Sequence, residues 1–211
     1  MQYRYIVVEG SIGSGKSDLS RRLAEHFDYL HLTESAKQNP FLMQFYQNNA
    51  NHGLATELDY LLRRAEAVET INAEEEKGGG IVADFLLEKD QIFVPAVLNP
   101  GEQNLFWALK RKIMPQYPVP DLVIYLQTSD DADIKRLQKK MGGEFKTFPP
   151  AYLKQVQEEY RRFFHLYQHS PLLIANADEL DYAGNDEHFS MLLSAMSNMR
   201  GSRNYLNLSE K

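Results

Sequence analysis

Apolar and polar residues along the chain follow two alternating patterns: short apolar runs, and longer stretches with helical spacing. "YRYIVVE" (3–9) has the composition of a strand, and residues 16–27 follow as a helix, with Leu19, Leu23 and Phe27 four apart on one face. "YLHLTE" (29–34) reads as a second strand ending on Glu34, and a short helix begins after Pro40, a residue suited to a first helical turn. The amphipathic segment 54–76 predicts a long helix stopped by "GGG", after which "GIVADF" predicts a third strand. Residues 86–98 and 101–115 read as helices separated by "NPG", and "PDLVIYLQT" (120–128) is the unbroken apolar run of a buried parallel strand. A Lys/Arg-rich helix (130–141), a loop "GGEFKTFPP", a helix from about 151 to 169, the strand "PLLIANAD" and a helix over 184–199 complete the chain.

Strands alternating with helices predict an α/β fold: a five-stranded parallel sheet flanked by helices, in one domain spanning residues 1–211. Such sheets bind ligands beyond the carboxyl ends of their strands. Gly10, Glu34, Asp84 and Thr128 all fall at those ends, which places the chemistry before any motif is considered.

Composition narrows the function. The 211 residues are 43% hydrophobic and 25% charged, with a net charge of -6, a balance that disfavours a polynucleotide partner but leaves a free nucleotide possible. No cysteine is present, so disulfides, thiolate metal sites and a catalytic thiol are excluded. The opening "MQYRYIVVEG" does not resemble a signal peptide, and no apolar run approaches the roughly 20 residues of a membrane span. The expectation is a cytoplasmic protein.

"GSIGSGKS" satisfies G-x-x-x-x-G-K-[ST] between a predicted strand and a predicted helix. Gly10, Gly13 and Gly15 let successive N–H groups turn inward at phosphate oxygens, with Ser11, Ile12 and Ser14 between them. Lys16 would reach the terminal phosphates of ATP or GTP, Ser17 would hold Mg²⁺, and the helix adds its positive end. A guanine-reading N/T-K-x-D is missing, and a small kinase fits this length better than a motor.

With these residues in place, the chain resembles the deoxynucleoside kinase family, in particular its bacterial deoxyadenosine/deoxyguanosine kinase-like branch, over roughly residues 4–170. The resemblance implies a P-loop kinase fold with a helical lid at about 136–150, an ATP donor, Mg²⁺ and a homodimer. In "LTE", Glu34 matches the base that takes the proton of the nucleoside 5′-hydroxyl. In "FYQNNANHGLATELDYLLRR", Tyr46 matches the tyrosine at the sugar 3′-hydroxyl, and Arg64 lies where some members carry an arginine near the base. In "IKRLQKKMGGEF", Arg136 and Lys140 match the cationic lid, with Glu144 near the acid that contacts the sugar. These roles agree with the needs of phosphoryl transfer: a cradle, a metal, cations over the phosphates and a base.

Two positions depart from the family. Glu57 stands where a glutamine is usual, and a carboxylate only accepts hydrogen bonds. Ionised Glu57 would accept from guanine N1–H and N2–H₂ while Arg64 donates to O6 and N7, so a purine is expected, deoxyguanosine ahead of deoxyadenosine. A Glu57–Arg64 ion pair is the alternative. At the third strand end the family carries an acid followed by arginine and serine. Asp84 keeps the acid, expected at the Mg²⁺, but Phe85 and Leu86 replace the other two, and Lys89 or Arg64 are candidates to substitute for the arginine. The alternatives to nucleoside phosphorylation are a nucleoside monophosphate kinase, such as a thymidylate kinase, and a nucleotide-binding protein without catalysis. His165 and His169, four apart, lack a third metal ligand.

Overall fold

Every residue of the first strand, "YIVVEG", is buried, because helices cover both faces of the sheet and polar–apolar alternation has no use there. The computed structural model describes residues 3–47, 49–142 and 148–207, without the side chains at positions 49, 50 and 140. In chain order the elements are β1 (Tyr5–Gly10), α1 (Lys16–Phe27), β2 (Leu30–Leu32), a 3₁₀ turn (Ala36–Gln38), α2 (Leu42–Gln47), α3 (Asn49–Glu76), β3 (Ile81–Ala83), α4 (Asp90–Val97), α5 (Pro100–Ile113), β4 (Leu122–Gln127), α6 (Asp130–Met141), α7 (Pro150–Leu166), β5 (Leu172–Asn176), α8 (Asp186–Ser197) and β6 (Arg203–Leu206).

The strands form one parallel sheet in the order β2-β3-β1-β4-β5-β6. Alternate residues of each strand supply two different cores. Tyr5, Val7, Ile81, Ala83, Val123 and Tyr125 pack beneath α2, α4 and α7. Ile6, Val8, Val82, Ile124 and Leu126 pack against Leu19 and Leu23 of α1 and Leu192 of α8. A third cluster, Leu61, Val94, Leu98 and Phe106, joins α3, α4 and α5. With both faces filled, the open ground lies beyond the carboxyl edge.

The sheet has six strands rather than the expected five. The added β6, "RNYL", is half-exposed at the sheet edge, so it carries no apolar run that would announce a strand in the sequence. The helix expected from residue 86 begins at Asp90, because the Glu9 carboxylate accepts the Leu86 N–H at 2.9 Å and holds 85–89 in turns. The long helix begins at Asn49 instead of 54. No helix among the described residues is long and apolar enough to cross a membrane.

Candidate active site

β1 leads into the glycine-rich loop, and α1 starts as the loop ends. Gly13 and Gly15 have φ of 98° and 91°, a left-handed backbone that an L side chain strains to adopt. A Cβ on Gly13 would also stand 3.0 Å from the Asp133 carbonyl oxygen, since α6 lies against the loop. The Lys16 ammonium donates to the Ser11 carbonyl at 3.2 Å. Burial and the neighbouring Lys89 ammonium lower its pKa against the pull of Glu9, Asp84 and Glu34. From α6, Asp133 is fully buried and accepts from the Ser11 hydroxyl and, at 2.8 Å, from Gln157 of α7.

The acid at the end of β3 organises its neighbour at the end of β2. Asp84 accepts from the Thr33 hydroxyl at 2.9 Å and from the Glu34 N–H at 2.8 Å. Burial would raise its pKa, but hydrogen bonds from the Ser17 side chain and the Glu34 backbone, with the Lys89 and Lys16 charges, hold it below the usual value.

Glu34 is gripped from two sides. Arg64 Nη1 of α3 lies 2.6 Å from its Oε1, and Lys89 Nζ lies 2.9 Å from its Oε2, with all three side chains at most 8% exposed. Burial opposes the carboxylate, yet Lys89 and Arg64 together lower its pKa. Arg64 Nη2 bonds Asp90 at the start of α4, and Lys110 Nζ of α5 approaches the other Asp90 oxygen at 2.7 Å. Lys89 Nζ also stands 3.8 Å from Glu9, whose carboxylate takes the Gly10 N–H at 3.0 Å and the Tyr160 hydroxyl at 2.9 Å. The result is a buried charge network linking β1, β2, α3, α4 and α5.

Phe85, where the resemblance implies an arginine, is 3% exposed and part of the core, and it also lines a pocket with Thr33, Glu34, Arg63, Arg64 and Thr70. Both candidate substitutes, Lys89 and Arg64, sit on Glu34. Glu57, 2% exposed on the same face of α3, makes no hydrogen bond or ion pair among the described residues, so the alternative of a Glu57–Arg64 ion pair is not formed. Burial pushes its carboxyl up to about 8, Arg64 pulling down and Asp90 and Glu34 pushing further up. Tyr46 packs against Phe45, Phe148 and Tyr152, and burial raises its phenol to about 12.

Arg136 of α6 donates to the Ala177 carbonyl and, at 3.5 Å, to the Ser14 carbonyl of the loop. The Lys140 side chain, Glu144 and residues 143–147 of the expected lid lie outside the described residues. Sequence reasoning missed Glu9, Asp90, Lys110 and Asp133. Glu9 alone gave a signal, a charge inside an apolar strand just before the glycine loop.

A family model described as deoxynucleoside kinase matches residues 6–199. The chain belongs to the deoxynucleoside kinase family. This kinase is 25% identical to the deoxyguanosine kinase of Bacillus subtilis over 193 residues, covering 89% of this chain and 93% of that one. It is 30% identical to the deoxyadenosine kinase of Lactobacillus acidophilus over 195 residues, covering 85% and 88% of the two chains. Its fold superposes on that of a deoxyadenosine kinase from M. mycoides solved with bound dATP, at a TM-score of 0.78 and 20% identity, over 92% of this chain and 99% of the other. The protein is therefore a phosphotransferase, and its family implies ATP as phosphate donor.

Proposed function

We propose that this kinase moves the γ-phosphoryl group of ATP to the 5′-hydroxyl of a purine deoxynucleoside, a salvage reaction that takes place in the cytoplasm. The observation that carries the reading is the clamp on Glu34, a buried carboxylate at a strand end held ionised by Arg64 and Lys89. Glu34 accepts the 5′-hydroxyl proton, the freed oxygen forms its bond to the γ-phosphorus, and the bond from that phosphorus to the bridging oxygen breaks, releasing ADP. Lys16 and the N–H groups of residues 10–17 hold the ATP phosphates. Arg136, beside the loop, and Lys140 cover them as parts of a lid over about 136–150. Tyr46 and Glu144 take the sugar, and Glu57 takes the base, with Arg64 close by.

Among the described residues no cluster of three or more His, Asp or Glu could hold a metal ion. Ser17 and Asp84, close enough for the Ser17 side chain to lower the Asp84 pKa, fit Mg²⁺ as it is usually held beside a nucleotide: by one or two protein oxygens, with phosphates supplying others. Held there, Mg²⁺ would supply positive charge against the transferring phosphate. The same reading includes a homodimer through the long helices. Leu62 on α3 and Leu105 on α5, 50% and 49% exposed, offer it apolar surface.

An acceptor screen with ATP tests the function: the four deoxynucleosides and their monophosphates, with the position of the new phosphate read by NMR. The expected products are purine deoxynucleoside 5′-monophosphates. Best turnover on thymidine, deoxycytidine or a monophosphate would contradict the reading.

A further inference from the structure

Charge in the buried network does not balance if every acid is ionised. Lys16, Arg64, Lys89 and Lys110 face six carboxyl groups: Glu9, Glu34, Asp84, Asp90, Asp133 and Glu57. The first five acids each have at least one hydrogen-bond donor. Glu34 has Arg64 and Lys89, Asp90 has Arg64 as donor with the Lys110 ammonium as an ion-pair partner, Glu9 has two N–H groups and a phenol, Asp84 has Thr33 and the Glu34 N–H, and Asp133 has Ser11 and Gln157. Glu57 has none among the described residues. Both terminal nitrogens of Arg64 are already engaged, and its Nε–H is itself buried without a partner.

A buried, unpaired carboxylate is costly, and the usual outcome is that the group takes up a proton. The groups around Glu57 settle the sign. Arg64 on its own helix and Lys89 before α4 favour the anion. Glu34 after β2 and Asp90 of α4 oppose it, and Tyr60 of α3 and Tyr152 of α7 are neutral phenols whose own ionisation Glu57 hinders. Burial outweighs all of them, in line with the upward shift described above.

Two polar groups on one face of α3 ask for a ligand that satisfies both: the Arg64 Nε–H, buried without a partner, and the Glu57 carboxyl, 2% exposed and without a hydrogen bond among the described residues. Resting on the kinase reading above, we propose that Glu57 is a proton-gated reader of the nucleobase. As the neutral acid it donates its O–H and accepts at its carbonyl, so it pairs with an edge that sets an amino group beside an unprotonated ring nitrogen, as in adenine. As the anion it pairs only with the two-donor N1–H/N2–H₂ edge of guanine. The preference for deoxyguanosine expected from an ionised Glu57 is thus replaced by a preference that depends on pH.

The decisive quantity is the ratio of kcat/KM for deoxyadenosine to that for deoxyguanosine, since pH effects on Glu34 and on ATP cancel in it. From about pH 6 to about pH 9 the wild-type ratio should fall tenfold or more, on the order of one buried hydrogen bond lost. Glu57→Gln, which keeps donor and acceptor at every pH, should hold it constant; deoxycytidine, which shares the amino-beside-nitrogen edge, separates base size from edge chemistry. A flat wild-type ratio, or an equal fall in Glu57→Gln, would overturn the proposal. Infrared difference spectroscopy of the same two proteins near pH 7 should show a carboxylic-acid C=O band missing from Glu57→Gln, and no such band would equally overturn it. If the band is present but no deoxynucleoside is phosphorylated, the kinase reading fails on its own. Nucleoside binding ratios from calorimetry, expected to shift with pH in the wild type alone, then decide the base-reading claim.

Discussion

Removing the Lys89 charge probes the grip on Glu34 most sharply. Lys89→Gln keeps a polar side chain with N–H donors, one carbon shorter than lysine, but deletes the ammonium 2.9 Å from Glu34 and 3.8 Å from Glu9. Breaking a buried pair from one side costs about 3–5 kcal/mol. Arg64 stays 2.6 Å from Glu34, so the low end, about 3 kcal/mol, is expected in chemical denaturation. The lost contact lies in a dry site, and about 2–3 kcal/mol of transition-state stabilisation, roughly a hundredfold in kcat, should go with it. The pH profile gives the signature. Glu34 is held below its usual pKa, so its ionised form and the stability it contributes persist above that range and are lost as pH falls through the folded value. Without Lys89 the Glu34 pKa rises, and the acid limb of the kcat profile must move upward. Lys89→Arg, which restores the charge, should recover most of the rate and the original limb. Wild-type stability with an unmoved acid limb in Lys89→Gln would refute the claim that Lys89 positions and holds Glu34 ionised.

Reinstating the family's arginine by Phe85→Arg should harm the protein, because position 85 is 3% exposed and the cations it would join already serve Glu34. A loss of about 3 kcal/mol or more in denaturation is expected, as for an unpaired buried charge. Gly13→Ala, at φ 98° with Asp133 and Leu137 each 3.0 Å from the new Cβ, should weaken ATP binding in calorimetry while leaving nucleoside binding intact. The raised pKa of Glu57, about 8 against 4.5, means stability that is full below 4.5 and lost as pH rises to about 8. Glu57→Gln should therefore gain on the wild type by about 3 kcal/mol between roughly pH 5 and pH 7.5, read as paired denaturation curves.

What the sequence displayed was whatever follows from local pattern. Glu34 and Asp84 stood out as charges ending apolar runs, and the glycine loop as fixed spacing between a strand and a helix. What it hid depends on partners distant in the chain. The turns at 85–89 require Glu9, 77 positions before Leu86, and the Arg64–Asp90 pair requires α3 packed on α4. The edge strand β6 gains its state from pairing with β5 rather than from its own half-exposed residues. Glu57 was legible as an anomaly, but its protonation state follows only once Arg64 is seen committed to Glu34 and Asp90.

The central claim is that Glu34 takes the proton of the 5′-hydroxyl during phosphoryl transfer. Its most direct test compares wild type and Glu34→Gln at saturating ATP with the best deoxynucleoside, alongside ATP affinity. The account predicts a kcat lower by at least about a hundredfold, typical for loss of a general base, with ATP binding preserved. An unchanged kcat in Glu34→Gln would contradict it.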